Sequence, residues 1–206
     1  MRKVCELGRS MVEMLGVLAI IGVLSVGGIA GYSKAMFKYK LNKQTEQLNQ
    51  LMSALLQHYH KFSFTSDKEN LTKYFVKMGE VPEEMIVKND ENNIYDIFSN
   101  RVNFTYDNPY IVITMLLELE KASVKDMEIC KNVVTAAQND SGNIYNISSV
   151  ASNEDGGYDD KAIWGDKNCK TGRTCLNNMT IDDTYKFCNA HIGKSGGHLK
   201  IYYRFD

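Results

Sequence analysis

Residues 1–31 are MRKVCELGRSMVEMLGVLAIIGVLSVGGIAG, and the last 18 of them, Met14–Gly31, include no charged side chain. As an α-helix, 18 residues rise about 27 Å, which is close to the thickness of the hydrocarbon core of a bilayer. Backbone polar groups in hydrocarbon must be satisfied within the segment itself, so a helix is predicted there. This stretch therefore decides the architecture: the chain begins with a helix that lipid or other apolar helices must cover.

Three interpretations of the apolar run are open. It is an uncleaved membrane anchor, or it is a secretory signal peptide, or it is retained after a cut that precedes it. The small-x-small pattern Gly28-Ile29-Ala30 would suit cleavage after Ala30 by a signal peptidase. The residues in front of the run favour the third interpretation.

A short basic leader ending in Gly8 precedes Arg9, and Glu13 stands five residues after that glycine. This arrangement resembles the N-terminal signal of type IV prepilins, in which a peptidase cuts after the glycine and Glu is the fifth residue of the mature chain. The resemblance implies cleavage between Gly8 and Arg9, and methylation of the new amino terminus. Arg9 departs from the family pattern, because most members carry Phe, Met or Leu there.

Glu13 is a carboxylate at the edge of an uncharged membrane helix, where ionisable residues are costly and usually functional. In a filament, such a carboxylate can pair with the amino terminus of a neighbouring subunit and so fix the stagger between helices. Removing one partner of a buried pair costs about 3–5 kcal/mol. The alternative is that Glu13 reaches the lipid headgroups and has no partner.

The helix is predicted to continue beyond the membrane, because residues 32–62 contain neither Pro nor Gly. An apolar stripe recurs there at spacings of three, four and seven residues, which is typical of an amphipathic helix. The stripe consists of Phe37, Leu41, Leu48, Leu51, Met52, Leu55, Tyr59 and Phe62. We therefore predict one continuous helix from Ser10 to Phe62, about 80 Å long.

Elements of a mixed head follow. Ser66 or Asp67 is expected to cap a short helix that ends at Gly79, and a hairpin is expected from strands 101–106 and 110–117 around the turn Asp107-Asn108. A helix over 124–138, a loop-rich stretch over 153–172 and a helix capped near Thr180 come next. The last strand, 198–205, places Leu199, Ile201, Tyr203 and Phe205 on one face.

This order resembles the type IVb pilins, which combine a long helix, an antiparallel sheet and a cysteine pair bounding a C-terminal region. The predicted fold class is thus α+β: a long N-terminal helix, membrane-spanning in its first half, packed on an antiparallel β-sheet with a disulfide-bounded C-terminal region. The expected organisation is a leader over 1–8, a pilin helix over 9–62 and an exported head over 63–206. Within the helix, the membrane span covers about 11–31 and the amphipathic part 32–62.

Cysteine placement indicates an oxidising compartment, because four of the five cysteines lie in the C-terminal half. Four cysteines allow three pairings, and we predict Cys130–Cys188 and Cys169–Cys175. The first pair joins two predicted helices and fences off a displayed region, as the type IVb pattern implies. The second closes a small loop around Gly172. The lysines after the apolar run slightly favour the opposite orientation, with the C-terminal domain in the cytoplasm. We predict an exported head nevertheless, because disulfides form outside the cytoplasm.

Chemistry-bearing motifs are weak, and we predict neither catalysis nor a metal or other cofactor. His58 and His60 point to different faces of a helix, and the acidic stretch 154–160 does not fit the EF-hand pattern. A formal net charge of −1 disfavours a dedicated nucleic-acid binder.

The expected function is structural: a pilin subunit that polymerises into a type IV pilus-like filament through its N-terminal helix. Its expected partners are copies of itself and other pilins, the prepilin peptidase, the inner-membrane assembly platform and membrane lipid. It would span the inner membrane once, with a periplasmic head, before assembly into an extracellular pilus that could serve adhesion. The alternatives are a pseudopilin of a type II secretion system and a secreted or anchored periplasmic binding protein.

Overall fold

One long helix opens the described part of the chain. The computed structural model describes residues 11–59, 68–117, 124–152, 158–190 and 197–204. Helix α1 is continuous over Met11–His58 and, at about 1.5 Å per residue, is roughly 72 Å long. The long helix predicted from the sequence is confirmed over this range, while Ser10 and Phe62 fall outside the described residues.

The chain divides into two compact units, one up to Lys40 and one from Leu41 onward. In the second unit, the end of α1 contributes the buried large apolar side chains Leu48, Leu51, Met52 and Leu55. These residues belong to the predicted stripe and repeat at helical spacing. The second half of α1 is therefore held by its apolar face within the head.

A six-stranded antiparallel sheet forms the centre of the head. Its strands are β1 Ile94–Tyr95, β2 Arg101–Asp107, β3 Tyr110–Leu116, β4 Ile144–Ser152, β5 Tyr158–Trp164 and β6 His198–Arg204. They lie side by side in the order β1-β2-β3-β6-β4-β5. The C-terminal strand β6 is thus central, and it joins the hairpin β2–β3 to the hairpin β4–β5.

One face of the sheet is apolar across five strands. The register aligns five buried side chains in a row, from β2 to β5: Phe104, Ile113, Ile201, Ile147 and Ile163. Alternation along each strand places these residues on a single face. The expectation that the last strand places its apolar residues on one face is confirmed for Leu199, Ile201 and Tyr203, since all three are buried, while Phe205 falls outside the described residues.

Three shorter helices complete the fold: α2 Thr72–Lys77, α3 Val124–Asn139 and α4 Ile181–Asn189. Helix α4 begins with a capping box, in which Thr180 and Asp183 each satisfy the other's backbone N–H. Helix α2 has no capping side chain at Leu71, but the Asn70 Oδ1 atom accepts from the Thr72 N–H at 2.9 Å. The predicted caps of this helix, Ser66 and Asp67, lie outside the described residues.

The C-terminal half differs from prediction in β4, in β5 and in the β2–β3 turn, and no element was predicted where β4 lies. Strand β5 occupies Tyr158–Trp164, so the loop predicted over 153–172 is wrong in that part. Strand β4 pairs with it over seven positions, from Asn146–Trp164 to Ser152–Tyr158, and supplies the hydrogen bonds that a loop would lack. The β2–β3 turn is centred on Asn108-Pro109, one residue later than predicted.

Candidate assembly helix and disulfide-bounded region

The first part of α1 exposes its apolar side chains on every face. From Met14 to Ile29 its large apolar residues are exposed, as for example Val23, at 74%. The helix is long and apolar enough to cross a membrane, by length and composition. A continuous apolar surface of this size has to be covered by lipid or by protein. This part of α1 is therefore the first candidate site.

This segment contains five glycines: Gly16, Gly22, Gly27, Gly28 and Gly31. A Cβ built at any of them meets no other atom of the described chain within 4 Å. Packing within the chain therefore gives no reason for these glycines. Each of them also lowers helix stability by about 1 kcal/mol relative to alanine, so some other contact has to favour them. Small residues on a membrane helix permit close approach of a second helix.

Glu13 lies in the first turn of α1 and is exposed. A carboxylate in the first turn complements the helix macrodipole. Gly8 and Arg9, the predicted cleavage residues, fall outside the described residues. The structure thus places Glu13 at the start of the apolar helix without testing its predicted partner.

A buried polar junction attaches α1 to the head. The Gln44 Nε2 atom donates to Asp96 Oδ2 at 2.7 Å, and both residues are buried. Asp96 also accepts from the Phe98 N–H at 2.9 Å and from the Asn100 N–H and side-chain amide at 2.8 and 2.9 Å. Burial raises the pKa of the Asp96 carboxyl, and these donors oppose that shift.

The same junction reaches helix α3 through Asn132. Its Nδ2 atom donates to Gln44 Oε1 at 3.0 Å and to the Leu41 carbonyl at 2.9 Å, and its Oδ1 atom accepts from the Thr45 hydroxyl at 3.1 Å. These groups satisfy one another, and an unmatched replacement would leave buried polar atoms without partners. The rotation of α1 about its axis in the head is therefore fixed by hydrogen bonds as well as by apolar packing.

Two disulfides staple the C-terminal region. Cys130 of α3 joins Cys188 of α4 across a Cα–Cα distance of 5.8 Å, and Cys169 joins Cys175 at 5.6 Å. Both pairings predicted from the sequence are confirmed. The longer bridge encloses β4, β5 and the small ring, so the chain from 130 to 188 forms one bounded region.

The outer side of this region is a shallow groove of about 290 Å³ between α3 and α4. Met127 and Met179 line it together with Ile181, which is 86% exposed, and Tyr185. The charged residues Glu128 and Lys131 lie on its α3 side. The lining of the groove thus combines apolar and charged side chains.

An aromatic row lies near the small ring. The Tyr145 ring is 4.9 Å from that of Tyr110 and 5.5 Å from that of Trp164, centroid to centroid. The guanidinium of Arg173 is 3.7 Å from the Trp164 ring centroid. This distance is typical of a cation–π contact, which holds the loop of the small ring against β5.

Metal chemistry has little support among the described residues, which contain no group of three or more His, Cys, Asp and Glu side chains that could hold a metal. The His58 Nε2 atom lies 2.7 Å from Glu80 Oε1. His60 and residues 154–157 of the acidic stretch fall outside the described residues, so the predicted absence of a metal site stays a prediction.

Sequence reasoning missed the polar junction and the aromatic row. A signal for the junction was present, because Gln44 and Gln47 fall at helical spacing on the apolar stripe with Leu48, Leu51 and Leu55. A polar residue on a buried stripe needs a partner. The partner, Asp96, is 52 residues away in sequence and had no signal of its own.

No protein-family model matches the sequence, and no curated protein matches it at a significant level. The likeness to type IV pilins consequently rests on the chain itself. An apolar N-terminal helix, continuous with one that packs on an antiparallel sheet, and two disulfides in the C-terminal region are consistent with a pilin-like fold.

Proposed function

We propose that this chain is a type IV pilin subunit, cut between Gly8 and Arg9 and polymerised through the apolar half of α1. The observation that carries the proposal is the division of one helix into two parts. Residues 14–31 are exposed and uncharged, whereas Leu48, Leu51 and Leu55 are buried in the head. An ordinary membrane anchor has no need to continue into a segment that is buried in the core of the head.

The head-side half of α1 would be fixed within the head, where Gln44 and Asn132 hold it by hydrogen bonds. The apolar half would offer the same contact surface in every subunit. Identical heterologous contacts that do not close into a ring generate helical filaments. The five glycines would let neighbouring helices approach closely in the filament core.

Glu13 would set the register between subunits. In the filament its carboxylate pairs with the amino terminus of a neighbour, in surroundings made apolar by the packed helices. A subunit displaced along the axis would bury an unpaired charge, which costs about 3–5 kcal/mol. This penalty disfavours every stagger except the paired one.

Before assembly the same apolar segment would hold the subunit in the inner membrane, with the head on the periplasmic side, where both disulfides can form. Assembly would then move the helix from lipid into the filament core, and the head would become extracellular. The partners in these steps are the prepilin peptidase, the assembly platform and other pilins. A pseudopilin of a type II secretion system would assemble through the same kind of helix contacts and would differ in filament length.

The test is Glu13→Gln, which removes the charge and keeps the size of the side chain. We expect the variant to be exported normally and to form both disulfides, which a gel-mobility shift on reduction would show. We expect it to lose most of its filaments, counted by electron microscopy. Glu46→Gln is the matched control, because Glu46 is exposed on the same helix and its ion pair with Lys43 lies near the surface. Filaments of wild-type abundance from Glu13→Gln would contradict the register pair.

A further inference from the structure

A basic segment directly follows the apolar half of α1. Residues 14–31 carry no charge, and residues 32–43 include the lysines Lys34, Lys38, Lys40 and Lys43. No acidic residue occurs in the sequence between Glu13 and Glu46. The charge next to the apolar segment is therefore of one sign, as it is in the juxtamembrane basic segments that attract anionic lipids.

Two of these lysines are exposed to the surroundings of the helix. Lys40 is half-buried, and the Lys43 Nζ atom lies 2.9 Å from Glu84 Oε1 within the head. Lys34 and Lys38 are exposed, and none of the ion pairs among the described residues includes either of them. They stand four residues apart and so lie on one face of α1, where like charges repel and destabilise an isolated helix. An anionic group beside both ammonium groups would relieve this repulsion.

Helix geometry brings both ammonium groups to the level of lipid headgroups. The Cα atoms of Lys34 and Lys38 lie roughly 4.5 and 10.5 Å beyond Gly31 along the helix axis. The headgroup region extends roughly 5–8 Å beyond each side of the hydrocarbon core. Side chains on a helix lean toward its N-terminus, which here is the direction of the membrane. The long stem of a lysine then lets its charge reach the lipid phosphates.

Two exposed tyrosines occupy the same stretch of α1. Tyr32 and Tyr39 are 66% and 58% exposed, and they share a face because seven residues separate them. A tyrosine combines an apolar ring with a polar hydroxyl and is enriched at the boundary between membrane and water. The segment that carries the exposed lysines therefore also has the side chains typical of a membrane interface.

We propose that Lys34 and Lys38 bind the phosphate groups of anionic lipids in the outer leaflet of the inner membrane, with Tyr32 and Tyr39 at the membrane interface. The choice of leaflet rests on the proposed function, because it follows from an exported head. It also gives a reason for lysines on the side of the membrane that the positive-inside rule disfavours. The contact would hold the unassembled subunit at a fixed depth in lipid, and it would be released when the helix enters a filament.

The test measures lipid binding to the full-length chain in a non-ionic detergent by native mass spectrometry. The probes are phosphatidylglycerol, which is anionic, and phosphatidylcholine, which has no net charge, both with the same oleoyl chains. We expect phosphatidylglycerol to bind more tightly than phosphatidylcholine. The double variant Lys34→Gln/Lys38→Gln should weaken phosphatidylglycerol binding by about fivefold or more and leave phosphatidylcholine binding unchanged, because each lysine near an anionic surface contributes a gain of about that size.

Lys88→Gln/Lys170→Gln is the matched control, since both lysines are exposed in the head and their loss changes the net charge by the same amount. The proposal is overturned if the two lipids bind wild type equally, if Lys34→Gln/Lys38→Gln keeps the wild-type preference, or if the control loses that preference to the same extent. A double variant that loses filaments but keeps its lipid preference would assign the lysines to a neighbouring subunit and also overturn it. Lipid binding needs neither cleavage nor polymerisation, so its outcome is separate from that of Glu13→Gln.

Discussion

The two disulfides should contribute unequally to stability, because they close rings of different size. Cys130 and Cys188 are 58 residues apart, whereas Cys169 and Cys175 are 6 apart. In the chain-entropy description, the cross-link acts by restricting the unfolded chain, and its effect grows with the logarithm of ring size. The larger ring then stabilises the folded state by about 4 kcal/mol and the smaller by about 2 kcal/mol at 25 °C.

The perturbation is a pair of double variants, Cys130→Ala/Cys188→Ala and Cys169→Ala/Cys175→Ala. Alanine is preferred to serine because Cys130, Cys188 and Cys175 are buried, and a hydroxyl there would need a hydrogen-bond partner. Changing both cysteines also leaves no free thiol to exchange. Each variant should fold, since α3, α4 and the β4–β5 hairpin retain their other contacts.

The assay is urea denaturation of the full-length chain, followed by Trp164 fluorescence and by circular dichroism. We expect the large-ring variant to lose about 2 kcal/mol more unfolding free energy than the small-ring variant. If removing the small ring costs as much as removing the large one, loop entropy is not the source of the stabilisation. Local strain or packing at the bridges would then have to explain it.

Two further predictions concern the attachment of α1 to the head. Leu51→Ala should lower the unfolding free energy by about 2–5 kcal/mol, because it opens a cavity at a fully buried position, while the exposed control Ser53→Ala should change it by less than about 0.5 kcal/mol in the same denaturation assay. Burial raises the pKa of Asp96 in the folded chain, so the folded state holds this proton more tightly than the unfolded state. The stability of wild type relative to Asp96→Asn should therefore be greatest in acid and fall as the pH rises through the pKa of the folded chain, and parallel curves between about pH 4 and pH 7 would contradict this.

Helix α1 and the hairpin β2–β3 were accessible to sequence reasoning because their patterns are local. The apolar run and the stripe follow helical geometry over many turns, and the hairpin alternates on both sides of a Pro-containing turn. The pairing of the cysteines was also accessible, since the short loop around Gly172 brings Cys169 and Cys175 together and leaves the other two to join α3 and α4.

Strand β5 was missed because its sequence, Tyr-Asp-Asp-Lys-Ala-Ile-Trp, is polar and follows two glycines. It lies at the edge of the sheet, where one side needs no partner and charged residues are common. Among the side chains described in this strand, Ile163 is the one placed in the buried row. Its structure depends on pairing with β4, which local propensity does not reveal.

A polar pocket in the head was inaccessible to sequence reasoning for a related reason. Asn143, Lys167 and Arg204 come from segments that meet only after β6 has inserted between β3 and β4. Each is an ordinary polar residue in its own stretch of sequence. The long-range sheet order alone makes them neighbours, and a single sequence carries no signal for that order.

The most direct test of the proposed pilin function is the N-terminal sequence and intact mass of the exported protein. Cleavage by prepilin peptidase predicts a mature chain that begins at Arg9, lacks Cys5 and retains the whole apolar run, with both disulfides formed. A chain that begins at Gly31 would instead establish a secretory signal peptide and leave no helix for polymerisation. A chain that still begins at Met1 would establish an uncleaved anchor and contradict the proposal equally.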